Sequence, residues 1–108
     1  MRLYDNKEYM DDVLCVAGLQ LPWQKLQNRS VMLSGATGLI GSFLIDVILE
    51  KNINDDLNCT VYALGRNEEK AKARFSKFAD DPHFVFIPYD VKLPLVRNDI
   101  DTVDYILH

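Results

Sequence analysis

The sequence predicts an α/β fold: a parallel sheet of about four strands in the order 3-2-1-4, with helices on both faces. Two observations carry this. Short apolar runs alternate with stretches of helical periodicity along the 108 residues. The first apolar run also leads into three glycines at three-residue spacing, Gly35, Gly38 and Gly41, followed by a longer apolar-periodic stretch. Strands that alternate with helices join in parallel through right-handed crossovers. The doubly wound order then opens a crevice beside the first strand.

The first element is a helix. Asp5 stands three residues ahead of Glu8, the spacing of a capping box, and Met10, Val13, Leu14 and Ala17 recur at helical spacing up to Gly18, a natural stop. This predicts a short amphipathic helix that covers an edge or end of the main layer, or else serves as a partner-binding or regulatory arm, joined to the first strand by Leu19 to Asn28. Ser30 to Ser34 is a short continuous apolar run, as expected of a central strand covered on both faces. Beyond the glycines, Leu39, Ile40, Phe43, Leu44, Val47 and Ile48 make one apolar stripe ending near Lys51-Asn52, where the Lys suits the negative end of the helix.

Thr60 to Leu64 is the second strand. Asn67 is the expected N-cap of the next helix, with Glu68 and Glu69 in its first turn and Ala71, Phe75 and Phe78 on one face. Asp80-Asp81-Pro82 ends it. Phe84 to Ile87 reads as the third strand and Val103 to His108 as the fourth, with only a short or irregular helix, divided by Pro94, between them. A fourth strand that ends on the last residue would leave an apolar edge where more sheet is expected. The expectation is therefore a fragment of a longer protein, prone to homo-oligomeric association edge to edge.

Composition narrows the function. A net charge of -4 with no block of Lys and Arg argues against nucleic acid or an anionic membrane as partner. No apolar run reaches the length of a membrane span and no signal-type segment follows Met1, so a cytoplasmic location is expected. Cys15 and Cys59 lack metal-ligand spacing, and both are expected as buried small hydrophobes.

The glycines point to a phosphate. Gly35 permits the tight turn, Gly38 lets a pyrophosphate approach, and Gly41 lets the helix lie close to the sheet, while the helix N-terminus offers free N–H groups. A mononucleotide P-loop fits poorly, because Gly41 is followed by Ser42 and Phe43 with no lysine for the terminal phosphates. A dinucleotide site on a partial Rossmann fold is the reading that remains. At the second strand tip the chain runs Leu64-Gly65-Arg66-Asn67, without the carboxylate that would bind the ribose hydroxyls of NAD and with an arginine suited to a 2'-phosphate. This favours NADP; Arg66 stacked on adenine would serve NAD as well. Asp90, after the third strand, would accept from the adenine amino group, with Val91 lining the same pocket, or else is a surface turn residue. Tyr89 is assigned to packing, and His83 and His108 to structural or pocket-lining roles. No residue pair makes a hydrolytic triad.

With these residues placed, Ser34 to Gly41, Ala63 to Asn67, Asp90-Val91 and Val103 to His108 together resemble the N-terminal half of an extended short-chain dehydrogenase/reductase of the NAD-dependent epimerase/dehydratase family. The likeness covers residues 28–108, a truncated dinucleotide-binding domain, and leaves 1–27 as an N-terminal helical extension and linker. It implies pyrophosphate binding by Gly35, Gly38 and Gly41, further contacts from Thr37, Leu39 and Ile40, a 2'-phosphate contact at Arg66 beside Asn67, and an adenine frame at Asp90 and Val91. It also implies hydride transfer on a nucleotide sugar through a tyrosine with a lysine four residues later. That pair cannot be mapped: Tyr4, Tyr9, Tyr62 and Tyr89 are followed at that distance by Glu8, Val13, Arg66 and Leu93, and Tyr105 has too little chain behind it. No catalytic residue and no metal site are therefore assigned, and the chain alone is expected to lack turnover. A non-catalytic dinucleotide sensor and an NADPH-dependent carbonyl reductase are the competing functions.

Overall fold

Four runs dominated by apolar residues form strands: β1 (Ser30–Leu33), β2 (Thr60–Gly65), β3 (Phe84–Pro88) and β4 (Tyr105–Leu107). A computed structural model describes residues 3–36, 38–88 and 105–107. All strand pairs are parallel and the order is β3-β2-β1-β4, as the alternation of strands and helices predicts. The register sets Val31 opposite Val61 and Tyr105, and Val61 opposite Phe84.

Side-chain alternation divides the sheet cleanly. Val31, Leu33, Val61 and Ala63 lie in one buried cluster, with Phe84 and Phe86 packed against it; Met32, Leu64 and Ile87 form another, joined by Tyr62 and Val85. Both faces of these strands are thus apolar, as a sheet covered on both sides requires. The first cluster is completed by Ile45, Ile48 and Leu49 of α2 (Leu39–Asp55) and by Ala71 of α3 (Glu68–Arg74), with Phe75 and Phe78 beyond it. The segment expected to carry an irregular helix between β3 and β4 lies outside the described residues.

The apolar stripe expected on α2 is only partly the buried face: Val47 and Ile48 are buried and Phe43 packs against α1, but its first residues do not pack. Leu39, Ile40 and Leu44 are exposed, while Ile45 and Leu49, outside that stripe, are fully buried. The reason is a double covering. One side of α2 meets the sheet; on another, Phe43 and Val47 pack against Val13 and Ala17 of α1 (Lys7–Ala17) and against Trp23. A helix packed on two sides needs no single stripe. α2 also runs beyond Lys51-Asn52 to Asp55, where Asp56 adopts the left-handed conformation at φ 53°. Lys51 does not serve the end of its own helix alone: its Nζ donates to the Ala17 carbonyl at the end of α1 at 2.8 Å, pairs with Asp55 at 2.9 Å and lies over the Trp23 ring.

α1 departs from expectation in three details. Asn6, not Asp5, caps it, its side-chain oxygen accepting from the Tyr9 N–H at 3.0 Å, because Asp5 is taken up in a preceding 3-10 turn. Leu14 is exposed while Val13 and Ala17 are buried. Cys15 is exposed as well, since it lies two residues, or about 200°, round the helix from Val13; Cys59 is buried as expected.

The N-terminal segment is fastened by charge as well as by packing. Asp46, fully buried on α2, accepts from the Tyr4 hydroxyl at 2.7 Å, from the Tyr9 hydroxyl, and from Arg74 Nη2 at 2.8 Å. Arg74 also donates to both tyrosine hydroxyls, at 3.1 Å to Tyr4 and 2.7 Å to Tyr9. One carboxylate thereby joins the start of the chain, α2 and the end of α3. Lower on the same helix, buried Glu50 pairs with Lys77. Among the described residues no buried side-chain polar atom lacks a partner.

Two outcomes are expected from this node. Asp46→Ala strands the Arg74 guanidinium, mostly buried, and should cost about 3–5 kcal/mol in urea unfolding. Burial, then the hydrogen bond and charge of Asp46, push the Tyr9 hydroxyl from 10.0 up to about 12, and Tyr4 also upward. The folded state then holds protons that the unfolded chain releases, so this contribution to stability is complete below pH 10.0 and is lost as pH rises toward about 12. Unfolding midpoints across that interval should fall less steeply for a Tyr4→Phe, Tyr9→Phe double variant than for the natural chain.

Candidate dinucleotide site

The site grows from the end of β1, where the chain must reverse from strand into helix within five residues, Ser34 to Gly38. Gly35 makes the reversal with φ 66°, the left-handed region where a side chain is strained. The Ala36 N–H reaches the Leu64 carbonyl at 3.4 Å, and the Gly38 N–H donates to the Gly35 carbonyl at 2.9 Å. Gly38 is the N-cap of α2 and supplies no side chain to its first turn. A β-carbon on Gly41 would stand 2.7 Å from the Gly35 carbonyl oxygen, and one on Gly38 3.2 Å from the same atom. Two of the three glycines are thus set by the close approach of helix and turn, and the third by backbone conformation. Ser42 ties the turn from below, its Oγ donating to the Gly38 carbonyl at 2.6 Å.

A cavity of about 480 Å³ opens over this turn, lined by Ser34, Gly35, Gly38, Leu39, Ile40 and Gly41 among others. Leu39 and Ile40 are 90% and 74% exposed, so the first turn of α2 presents its backbone and two apolar side chains to the open side. Backbone N–H groups at a helix start, backed by the helix dipole, suit a phosphate.

The other expected residues divide. Arg66 follows the last residue of β2, Gly65, and is exposed. Asn67 caps α3, its side-chain oxygen accepting from the Lys70 N–H at 3.0 Å, which occupies part of its hydrogen-bonding capacity. Thr37, Tyr89, Asp90, Val91 and His108 lie outside the described residues. His83 sits between Asp81 and Asn58, within 3.3 Å and 2.7 Å of their side-chain oxygens, a loop-fastening role. No group of three or more His, Cys, Asp or Glu capable of holding a metal occurs among the described residues.

Sequence reading missed the carboxylates at Asp46 and Glu50. Their signal was present in S-F-L-I-D-V-I-L-E, where two acids four residues apart interrupt a helix otherwise apolar. A second cavity, of about 620 Å³, lies beside the first and shares Leu39, Ile40 and Leu44 with it; Leu3, Tyr9 and Arg74 line its far side. The N-terminal segment therefore reaches the neighbourhood of the glycine turn.

A parallel 3-2-1-4 sheet with a three-glycine turn between its first strand and the following helix defines a Rossmann-like α/β protein. The chain has homology to members of the NAD-dependent epimerase/dehydratase family. It is 32% identical over 81 residues to UDP-glucuronic acid decarboxylase 5, and 32% identical over 81 residues to UDP-glucuronic acid decarboxylase 3, both from Arabidopsis thaliana. Each match covers 75% of this chain and 21% of the plant protein. It is also 35% identical over 82 residues to a carboxylic acid reductase from Mycobacterium tuberculosis, a match covering 72% of this chain and 7% of that protein. No family model matches the chain.

Gly41→Ala forces its methyl group against the Gly35 carbonyl, a backbone atom that cannot swing aside, and should cost about 1–3 kcal/mol. Urea midpoints measured beside those of Gly18→Ala, whose new β-carbon would be 3.3 Å from its nearest neighbour, should show the larger loss at Gly41.

Proposed function

We propose that this chain is the cofactor-binding part of an NAD(P)-dependent oxidoreductase, epimerase or dehydratase acting on a nucleotide sugar. The observation that carries the reading is the fit of the glycine turn to a pyrophosphate: an uncapped helix start, a 480 Å³ opening above it, and glycines that let the helix lie close against the turn. Homology to two UDP-glucuronic acid decarboxylases supports a dinucleotide in general and a nucleotide sugar as the substrate class. The location we propose is cytoplasmic; no helix among the described residues is long and apolar enough to cross a membrane.

In this reading Gly35, Thr37, Gly38, Leu39, Ile40 and Gly41 hold the pyrophosphate. Arg66 and Asn67 flank the adenosine ribose, and Asp90 with Val91 frames the adenine. NADP is preferred over NAD because the tip of β2 carries a guanidinium at Arg66 and no carboxylate between Leu64 and Asn67. A bound dinucleotide supplies reversible hydride transfer; the residues of this chain bind and orient it. None of Tyr4, Tyr9, Tyr62 and Tyr89 has a lysine four residues on, so the proposal assigns no catalytic residue here and expects no turnover from this chain by itself.

A second reading is favoured by the similarity to a carboxylic acid reductase: an NADPH-dependent reductase of another substrate class, sharing the same binding half. A protein that only senses the dinucleotide is the remaining alternative. Titration with NADP and NAD, followed by calorimetry, tests the cofactor assignment. Arg66→Ala should weaken NADP binding about tenfold or more, the worth of a charge-assisted hydrogen bond, and leave NAD nearly unchanged. Equal loss for both, or for neither, removes the preference for NADP.

A further inference from the structure

The first turn of α2 is the part of the candidate site with the least packing of its own. Leu39 and Ile40 are 90% and 74% exposed and Leu44 is 37% exposed, so Ser42 and Phe43 are where the helix begins to be held. Part of what holds it there comes from the N-terminal segment, where Tyr9 joins Val13, Ala17 and Trp23 in the cluster that takes up Phe43 and Val47. The Tyr9 ring meets the Phe43 ring edge to face, with centroids 6.0 Å apart and planes at 84°, while the Tyr9 hydroxyl donates to Asp46 one turn later. Tyr9 thus spans two successive anchor points on the first half of α2. Tyr4 completes the attachment: its hydroxyl donates to the other oxygen of Asp46 at 2.7 Å, and its ring packs edge-on against Phe78 at 5.7 Å.

Arg74 fixes the arrangement from the far side. It donates to Asp46 and to both hydroxyls, and its guanidinium lies 5.6 Å and 5.7 Å from the centroids of the Tyr9 and Tyr4 rings. The second cavity places this assembly next to the turn, because Leu3 and Tyr9 share it with Leu39 and Ile40.

We propose that Tyr9, with Tyr4, is a positioning residue for the phosphate-binding turn: docked on Asp46 and Arg74, the N-terminal segment sets the place of the first turn of α2. Affinity for the dinucleotide then depends on a segment that does not touch the glycines. That consequence rests on the dinucleotide function proposed for the chain; the ordering of the turn does not.

The test compares the Tyr4→Phe, Tyr9→Phe double variant with Val85→Ala, which lowers stability on the opposite face of the sheet. Hydrogen exchange of the cofactor-free chain and the dissociation constant for NADPH are measured for each. The expected result is faster exchange in residues 42–44 of the tyrosine variant, the first amides of α2 that are hydrogen-bonded, with β2 and β3 unchanged, and a dissociation constant raised about five- to tenfold, the lower range of coupling between distinct sites. Val85→Ala should show neither effect. Tyr9→Leu, which also removes the ring from Phe43, should exceed the double variant in both readouts. If the tyrosine variant exchanges in residues 42–44 no faster than Val85→Ala does, or if the two shift the dissociation constant alike, the segment is merely structural and the proposal is overturned. If the natural chain binds neither NADPH nor NADH while the exchange difference appears, the positioning of the turn stands and the proposed function falls.

Discussion

No β-carbon fits between Gly41 and the carbonyl of Gly35, and the placement of α2 against the end of β1 depends on that empty space. Because the helix lies so close, its start opens directly above the strand, and Ile45, Ile48 and Leu49 drop into contact with Val31 and Val61. The same placement leaves another side of α2 free to receive α1. The shape of the glycine turn and the packing of α2 therefore share a single contact, and a change made there acts on both.

The N-terminal segment takes its meaning from this arrangement. α2 carries two buried carboxylates, and a buried charge is tolerated only where partners surround it. Asp46 finds those partners in three separate parts of the chain. Its burial selects one way of stacking α1 on α2 over the many that would satisfy apolar contact alone, since any rotation of the helix pair that carried Tyr9 away would leave the carboxylate short of a donor.

The glycine turn and the Asn67 cap were legible in the sequence because each depends on neighbours a few residues away, and the strand order because alternating strands and helices restrict the ways a parallel sheet can be wound. The faces of α1 and α2 were less so. Periodicity assumes that a helix has one buried side, and α2 has two; Leu39 and Ile40 fit the period of the stripe yet line the opening over the glycine turn and stay exposed. Cys15 was misplaced for a related reason, since a small apolar residue gives no sign of which side of a short helix is covered. The Asp46 node was beyond local reading altogether, because its partners stand 28 to 42 positions away along the chain. For the candidate site the glycines were legible as a set, and the geometry distinguishes their separate reasons.

The connection between α2 and β2 has a consequence for the order of assembly. The Asn52 side chain both donates to the Cys59 carbonyl and accepts from its N–H, each at 2.8 Å, closing a loop between residues seven positions apart. Short closures cost little chain entropy, whereas pairing Val31 with Tyr105 brings together positions from opposite ends of the chain. A folding chain is thus favoured to complete the α2–β2 corner while β1 still has one neighbour, and the flank of β1 that pairs with β4 is the last to gain its strand.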